Sequence, residues 1–363
     1  MNALNIARLI KAFAPTWVMR PRSPVRAVVA LTRQCNLRCA MCHSASLPRG
    51  RQMTPVEVGR LFFGMPNLVW LDLTGGEPFI RSDIAEVFDA VLTNTPSLAV
   101  LHFPTNGWHR ERILECAMMI HEMRPDVSLL VTVSIDGPRD VHDRVRGRDG
   151  SFDRAFGTFL ELRRVPGVQT FIGTTVGPWN RDALGGLHSF LIHNVPDFDD
   201  RCWHWNQAQV SSHFFANEGL PSLEGGDAAV LIREHMARRW PPRSPVDLME
   251  LAYLVNVHGY LSGEPAGIAC QALRSSCFVS ADAVMYPCHV WDMPVADLRS
   301  SDFNVEQVWD GADVLDARRQ VDGLECGGCF TPCEAYTSIA GSPVRATLLS
   351  AIRAGLVARR SFS

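Results

Sequence analysis

The stretch of sequence that decides the fold is VRAVVALTRQCNLRCAMC, residues 25–42. Its first part, residues 25–32, is apolar and β-branched, which predicts a buried strand. Its second part holds three cysteines in one short loop, Cys35, Cys39 and Cys42. Because thiolates are the preferred ligands of iron–sulfur clusters, they can hold three irons of a [4Fe–4S] cluster and leave the fourth open. The sequence therefore predicts a cluster with a free coordination site at the end of a first strand.

A second predicted strand leads into a turn that suits a bound ligand. Residues 67–74 are mostly apolar, and Gly75, Gly76 and Glu77 follow them directly. Two glycines let the backbone approach a ligand closely, and a glutamate carboxylate can accept hydrogen bonds from an ammonium group. This turn is therefore a candidate binding site.

Polar residues also follow the next two predicted strands. Asn106 comes after the strand at residues 99–103. Ser134 and Asp136 come after the strand at residues 127–133. Taken singly, Ser134 and Asp136 are also typical of a turn beside Gly137 and Pro138.

Strand-like and helix-like segments alternate along the first two thirds of the chain. The predicted strands are residues 25–32, 67–74, 99–103, 127–133, 169–176 and 202–210, and the predicted helices are residues 55–63, 83–94, 110–123, 151–164 and 181–194. Such alternation predicts a parallel sheet with right-handed crossovers. Six units make an incomplete version of the eight-unit barrel, in which catalytic groups lie at the C-terminal ends of the strands. The motifs above all fall at those ends.

Over residues 25–210 the C-x3-C-x2-C spacing and the strand-end motifs resemble the radical S-adenosylmethionine (radical SAM) enzymes. The resemblance implies that SAM chelates the open iron through its amino and carboxylate groups. It also implies these SAM-contacting residues: Gly75, Gly76, Glu77, Asn106, Ser134, Asp136 and Arg146. Met41 stands where the family usually has an aromatic residue, and methionine is a flexible apolar substitute. For Arg146, a solvated place in the charged stretch at residues 139–153 stays open.

The resemblance implies an α/β fold, a partial (β/α)6 TIM-type barrel, and a reaction. SAM is cleaved reductively to a 5′-deoxyadenosyl radical, which abstracts a hydrogen atom from a substrate. The electron would come from a flavodoxin- or ferredoxin-type reductant. The cofactor supplies the reactivity, while the protein positions the substrate and excludes water.

Six further cysteines lie close together towards the C-terminus: Cys270, Cys277, Cys288, Cys326, Cys329 and Cys333. They resemble the SPASM and twitch extensions of radical SAM enzymes, which carry auxiliary iron–sulfur clusters. Six ligands instead of about eight, and Ala283 where the hairpin usually has glycine, imply one auxiliary [4Fe–4S] cluster. Cys277 and Cys288 with two of the last three cysteines are the favoured ligand set. A structural zinc site is the alternative for this region.

We predict five segments. They are an N-terminal amphipathic segment at 1–24, a radical SAM core at 25–210, a helical linker or cover at 211–267, a small cysteine-rich auxiliary cluster domain at 268–336 and a C-terminal helix at 337–363. Both end segments are basic and amphipathic, a pattern found on membrane surfaces. Packing against the barrel is the commoner role, so peripheral membrane contact is the less favoured hypothesis.

The composition is typical of a soluble globular protein with a large core. The 363 residues are 47% hydrophobic and 20% charged, and the formal net charge of −3 gives no reason to expect a nucleic acid partner. There is no apolar run long enough for a membrane span. Arg8 and Lys11 interrupt the apolar N-terminus, which argues against a signal peptide. Eleven cysteines without such a signal indicate thiolate ligands in a reducing cytoplasm.

Two isolated cysteines fall outside these motifs. Cys116 lies among apolar residues of a predicted helix and is assigned to the core. Cys202, with Trp203, His204 and Trp205, lies near the last predicted barrel strand. It is a weak candidate for a hydrogen donor or a pocket residue, although aromatic-rich strands more often serve packing.

The substrate is predicted only by class. Because few residues precede the first strand, we expect no fused N-terminal peptide-recognition domain, which favours a small molecule over a peptide. Oxidation, epimerisation or bond formation are the expected reactions, and peptide or protein modification is the alternative. A non-catalytic electron carrier or scaffold is the distant alternative, because such a protein has no use for Glu77 or an open iron.

Overall fold

The computed structural model describes residues 1, 3–48, 50–221, 225–264, 268–326, 328, 329 and 331–342. Its strands are β1 (Arg26–Ala30), β2 (Trp70–Thr74), β3 (Val100–Thr105), β4 (Ser128–Ser134), β5 (Val168–Val176), β6 (Trp203–Gln207), β7 (Ser276–Val279), β8 (Val284–Tyr286) and β9 (Ala296–Asp297). They form one sheet in the order β6-β5-β4-β3-β2-β1-β7-β8-β9. Strands β1 to β6 pair in parallel. The predicted partial (β/α)6 barrel is confirmed.

The helices are α1 (Ala3–Phe13), α2 (Pro55–Phe63), α3 (Ile84–Asn94), α4 (Arg110–Met123), α5 (Arg139–Arg146), α6 (Ser151–Leu162), α7 (Leu184–Asn194), α8 (Gly225–Arg238), α9 (Pro245–Leu261), α10 (Val305–Trp309), α11 (Ala312–Asp322) and α12 (Pro332–Ala340). Local chemistry explains where α2 begins. Thr54 and Glu57 form a reciprocal capping box, and Pro55 stands at the first turn, where it costs no hydrogen bond. Residues 139–146, predicted only as a charged stretch, form α5.

The barrel wall has an apolar outer face and a partly polar inner face. On β4, Leu129, Val131 and Val133 are buried in the main core. The alternate residues Thr132 and Ser134 are only half-buried. Because side chains alternate across a strand, the second set faces the inside of the barrel. This inner space is called the lumen below.

The cysteine-rich hairpin continues the barrel sheet. β7 pairs in parallel with β1, and β8 pairs antiparallel with β7. The turn between them places Ala283 at φ 69°, a left-handed conformation that glycine adopts without strain. The backbone there keeps the geometry for which glycine is usual, although the residue is alanine.

The N-terminal segment packs against the barrel. The side-chain amide of Asn5 donates to Ser128 Oγ at 2.9 Å, and Arg8 forms an ion pair with Asp126 at 2.9 Å. At the other end, residues 337–340 of the predicted C-terminal helix belong to α12, and residues 341 and 342 follow it outside the helix. Residues 343–363 lie outside the described residues. Within the described part of the chain, no helix combines the length and apolarity needed to cross a bilayer.

Candidate functional site

The cysteine loop follows β1 and is shaped by its own backbone and by α5. The N–H of Cys42 donates to the carbonyl of Cys39 at 3.1 Å, and the N–H of Ala40 donates to the carbonyl of Val145 at 2.7 Å. All three cysteines of the loop are free thiols. Burial raises the pKa of Cys35 to about 12, so this thiol stays protonated unless a metal displaces the proton.

Gly75 and Gly76 press directly against this loop. The N–H of Gly76 donates to the carbonyl of Thr32 at 2.9 Å. A Cβ atom at Gly75 would lie 2.4 Å from that carbonyl oxygen, and one at Gly76 would lie 2.2 Å from the carbonyl oxygen of Gln34. Gly75 also has φ 147°, which other residues rarely adopt. Both positions therefore require glycine, because any side chain would push the two loops apart.

The carboxylate of Glu77 joins the ends of β2 and β3. It accepts a hydrogen bond from the N–H of Asn106 at 2.7 Å and one from Thr105 Oγ1 at 2.9 Å. Burial raises the pKa of Glu77 to about 7, although these hydrogen bonds act in the opposite direction. The side chain is thus fixed at the floor of the turn and can change its charge when a cation binds beside it.

Asn106 connects this turn to the cysteine loop. Its side-chain amide donates to Asn36 Oδ1 at 2.8 Å and lies 4.0 Å from Cys35 Sγ. The end of β3, the glycine turn and the cysteine loop therefore form one contiguous wall.

Asp136 and Arg146 form a buried pair on the other side of the loop. Arg146 Nε lies 2.5 Å from Asp136 Oδ2, and the N–H of Thr175 donates to Asp136 Oδ1 at 2.8 Å. Arg146 Nη1 also lies 3.7 Å from Cys39 Sγ. Burial alone would lower the pKa of Arg146, but Asp136 and Cys39 raise it above its ordinary value. Arg146 is therefore a fixed cation beside the loop instead of a solvated surface residue.

The remaining predicted site residues take different positions. Ser134 ends β4 and is half-buried beside Gly173 of the neighbouring strand. Cys202 precedes the start of β6, at the opposite end of the strand from the site, and its side chain packs against the main core. Trp203 and Trp205 also lie in that core, whereas His204 occupies the alternate position.

The side chains of the cysteine loop and its surroundings fit an iron–sulfur cluster. Among the described residues, no three cysteine, histidine or carboxylate side chains converge tightly enough to hold a single metal ion. A [4Fe–4S] cluster takes one thiolate on each iron, so its cysteines need not converge on one point. Two buried donors near the loop, Asn36 Nδ2 and Trp179 Nε1, have no hydrogen-bond partner in the described part of the chain. They are available to a bound group.

The C-terminal cysteines differ in their burial and in the charges that act on them. Burial raises the pKa of Cys270, Cys288 and Cys333, and the nearby negative charges of Glu334 and Cys329 add to the effect on each. Cys326 acts on Cys329 in the same way, so the charge of Cys329 is coupled to four of the other cysteines, Cys270, Cys288, Cys326 and Cys333. Cys277 is fully buried in the main core, and Cys326 is exposed. The ligand set that spacing favoured, Cys277 and Cys288 with two of Cys326, Cys329 and Cys333, stays a prediction.

Sequence analysis missed polar residues on the lumen side of the strands. Asp72 Oδ1 lies 2.7 Å from His102 Nδ1, and Thr132 Oγ1 lies 2.9 Å from His102 Nε2. Arg26 donates twice to Asp72 Oδ2, at 3.0 and 2.8 Å. The available signal was a charged residue inside an apolar strand, Asp72 in WLDLT.

Comparison with known proteins identifies related chains. The family model described as the radical SAM superfamily matches residues 29–191. An AdoMet-dependent heme synthase of Methanosarcina barkeri is 26% identical over 324 residues, which cover 82% of this chain and 86% of that protein. The antilisterial bacteriocin subtilosin biosynthesis protein AlbA of Bacillus subtilis is 32% identical over 134 residues, which cover 36% of this chain and only 28% of AlbA.

Solved structures share the fold. The structure of anSMEcpe with bound AdoMet superposes with a TM-score of 0.59 at 14% identity, covering 93% of this chain and 98% of that chain. Streptococcus suis SuiB bound to S-adenosylmethionine gives a TM-score of 0.59 at 14% identity, covering 82% of this chain and 68% of that chain. At this identity the likeness concerns the fold.

Proposed function

We propose that this chain, whose residues 29–191 match the model of the radical SAM superfamily, is a radical SAM enzyme that abstracts a hydrogen atom from a small-molecule substrate held in the barrel. The observation that carries the proposal is the convergence of two strand ends and the end of α5 on the segment that holds the cysteines. Gly76 contacts Thr32, Asn106 contacts Asn36, and Arg146 contacts Cys39.

Each group has an assigned task. Cys35, Cys39 and Cys42 would hold three irons, and Glu77 would bind the SAM ammonium at the glycine turn. When bound, the cluster and SAM supply a 5′-deoxyadenosyl radical, which is chemistry that no side chain provides. Arg146 places a positive charge beside Cys39, which favours the thiolate over the thiol.

A small molecule is favoured over a peptide as substrate. The relative from Methanosarcina barkeri, which matches 82% of this chain, is named as a heme synthase, whereas AlbA matches 36% of this chain. The lumen wall is polar at His102 and Thr132, which suits a substrate with hydrogen-bonding groups. Oxidation, epimerisation or bond formation are the reaction types proposed. Peptide modification is the second candidate, because SuiB, which binds a precursor peptide, has the same fold.

We also propose one auxiliary [4Fe–4S] cluster in the C-terminal region, with Cys270, Cys288, Cys329 and Cys333 as its ligands. The effect of Cys329 on the pKa of the other three, together with the exposure of Cys326 and the position of Cys277 in the main core, supports this set. A flavodoxin- or ferredoxin-type reductant remains a prediction.

The test is anaerobic reconstitution with iron and sulfide, reduction with dithionite and addition of SAM. We expect the wild type to form 5′-deoxyadenosine and a variant with Cys35, Cys39 and Cys42 all changed to alanine to form none. Cys116→Ala is the matched control, because Cys116 is buried on α4 and should leave the reaction intact. Two substrate pools, porphyrin carboxylates with their iron complexes and cysteine-containing peptides, then separate the two substrate classes. A cluster-loaded wild type that neither binds nor cleaves SAM would refute the proposal.

A further inference from the structure

A hydrogen-bonded array crosses the lumen wall below the cysteine loop. It runs from Asp72 on β2 through His102 on β3 to Thr132 on β4, with contacts of 2.7 and 2.9 Å. Asp72 is nearly buried, with 9% of its side chain exposed, whereas 25% of the His102 side chain is exposed. A molecule in the lumen can therefore contact His102 and Thr132 while the carboxylate behind them stays protected.

Arg26 holds the carboxylate in place. Its Nε and Nη2 donate to Asp72 Oδ2, and its Nη1 donates to Thr337 Oγ1 at 2.6 Å on α12. Burial alone would raise the pKa of Asp72, but Arg26 and His102 lower it below its ordinary value. Asp72 therefore remains ionised, with Oδ1 free to accept the Nδ1 proton of His102.

This geometry determines where the protons lie on a neutral His102. With the proton on Nδ1, Nε2 carries a lone pair and accepts the hydroxyl proton of Thr132. Gly173 restricts the hydroxyl further, because a Cβ atom there would lie 2.6 Å from Thr132 Cγ2. The methyl group of Thr132 therefore points to Gly173. Asp72, His102 and Thr132 thus follow one another in the same order as the aspartate, histidine and serine of a catalytic triad.

We propose that Thr132 and His102 accept a proton from a hydroxyl or amino group of the substrate in the lumen. This inference rests on the proposed function, because it takes the barrel as the substrate site. The substrate O–H or N–H proton moves to Thr132 Oγ1 as the hydroxyl proton of Thr132 moves to His102 Nε2. The bonding electron pair stays on the substrate atom, and no redox partner is needed. The imidazolium that forms faces Asp72, which with Arg26 is a positioning residue.

The first test locates the protons in the oxidised holoenzyme labelled with 15N-histidine, at about pH 8, where an ordinary histidine is neutral. We expect His102 as the Nδ1–H tautomer, with its signal assigned by its absence in His102→Gln. Asp72→Asn should shift the ring towards the Nε2–H tautomer. A wild-type His102 that carries a proton on Nε2 would overturn the proposal, because that nitrogen then has no lone pair to accept the hydroxyl proton of Thr132.

The second test measures turnover with the two substrate pools. Thr132→Val should lower product formation by about 100-fold relative to wild type in the presence of substrate. Thr132→Ser should restore product, because it keeps the hydroxyl. Thr170→Val is the matched control, since Thr170 pairs with Val131 and faces the outer side of β5. Full product formation by Thr132→Val would refute the relay. If the cluster-loaded wild type neither binds nor cleaves SAM, the proposed function fails, and the tautomer still decides the relay.

Discussion

Gly147 lies directly against the backbone of Arg38, and a Cβ atom at Gly147 would stand 2.3 Å from the Arg38 carbonyl oxygen. Gly147 also ends α5 with φ 66°, the left-handed conformation common at helix ends. The end of α5 can therefore support the cysteine loop only because this position has no side chain.

Gly147→Ala should destabilise the protein and displace the loop. We expect a loss of about 2 kcal/mol in the free energy of unfolding, together with reduced iron uptake on reconstitution. Urea denaturation and iron analysis measure the two effects. The control is Gly150→Ala, because Gly150 has φ 75° but nothing within 4 Å of its Cβ position. It should lose about 1 kcal/mol from backbone strain and keep its iron. Equal iron loss in both variants would contradict a specific role for the Arg38 contact.

Arg26→Met should be strongly destabilising. It leaves the buried Asp72 without its charge partner, which typically costs about 3–5 kcal/mol. The matched control is Arg60→Met, which removes an exposed ion pair with Asp302 and should cost less than about 1 kcal/mol. Urea denaturation at neutral pH compares the two variants. Similar losses would mean that the Arg26–Asp72 pair contributes no more than a surface pair.

Glu57 should make stability depend on acid pH. Hydrogen bonds from Arg299 lower the pKa of Glu57 from 4.5 to about 2. Since the folded protein binds this proton more weakly than the unfolded chain does, the contribution is complete above pH 4.5 and disappears as pH falls through about 2. We expect Glu57→Gln to be less stable than wild type by about 1 kcal/mol at neutral pH, because much of the ion pair is screened by solvent.

Denaturation of wild type and Glu57→Gln across this pH range should show the difference shrinking towards acid. Glu86→Gln, at an exposed position on α3, should change stability by less than about 0.5 kcal/mol at neutral pH. A Glu57→Gln difference that grows on acidification would have the wrong sign and would refute the assignment.

Glu77→Gln should damage both the fold and SAM binding. The new amide group places a donor against the N–H of Asn106 or the Thr105 hydroxyl, and a buried donor left unpaired costs about 1–3 kcal/mol. Loss of the charge should weaken SAM binding by at least about tenfold, measured by equilibrium dialysis. Thr105→Val removes one donor and keeps the carboxylate, so it should retain SAM. Unchanged SAM affinity in Glu77→Gln would exclude Glu77 from the ammonium site.

Variants of a proposed cluster ligand, Cys329, and of the core residue Cys277 should differ in iron content. Cys329→Ala should lose about half of the iron of the reconstituted protein, because it removes a ligand of one of two four-iron clusters. Cys277→Ala should keep its iron, since Cys277 is buried in the main core. Circular dichroism verifies that both variants fold. Iron loss from a folded Cys277→Ala would return Cys277 to the ligand set.

Sequence patterns were sufficient to predict the features that depend on residues close together in the chain. Strand periodicity and the spacing of cysteines predicted the barrel and the position of the glycine turn, and the family match at residues 29–191 bears out the resemblance. Helix α5 escaped prediction because its apolar signal is small, with Val145 and His142 as its buried residues. The backbone N–H of Asp136, which donates to His142 Nδ1 at 3.1 Å, holds this helix through a contact that no local pattern reveals.

Local spacing thus established the barrel class and the cysteine loop, because each depends on residues that are near one another in the chain. Only the tertiary structure decided three other features. These are the pairing of β7 with β1, the partner of Arg146 and the array from Arg26 to Thr132. Asp72 and His102 are 30 positions apart in sequence, yet their side chains meet because β2 and β3 are neighbours and alternate residues face the lumen. A polar residue in an apolar strand signals that such a partner exists, and only packing decides which residue it is.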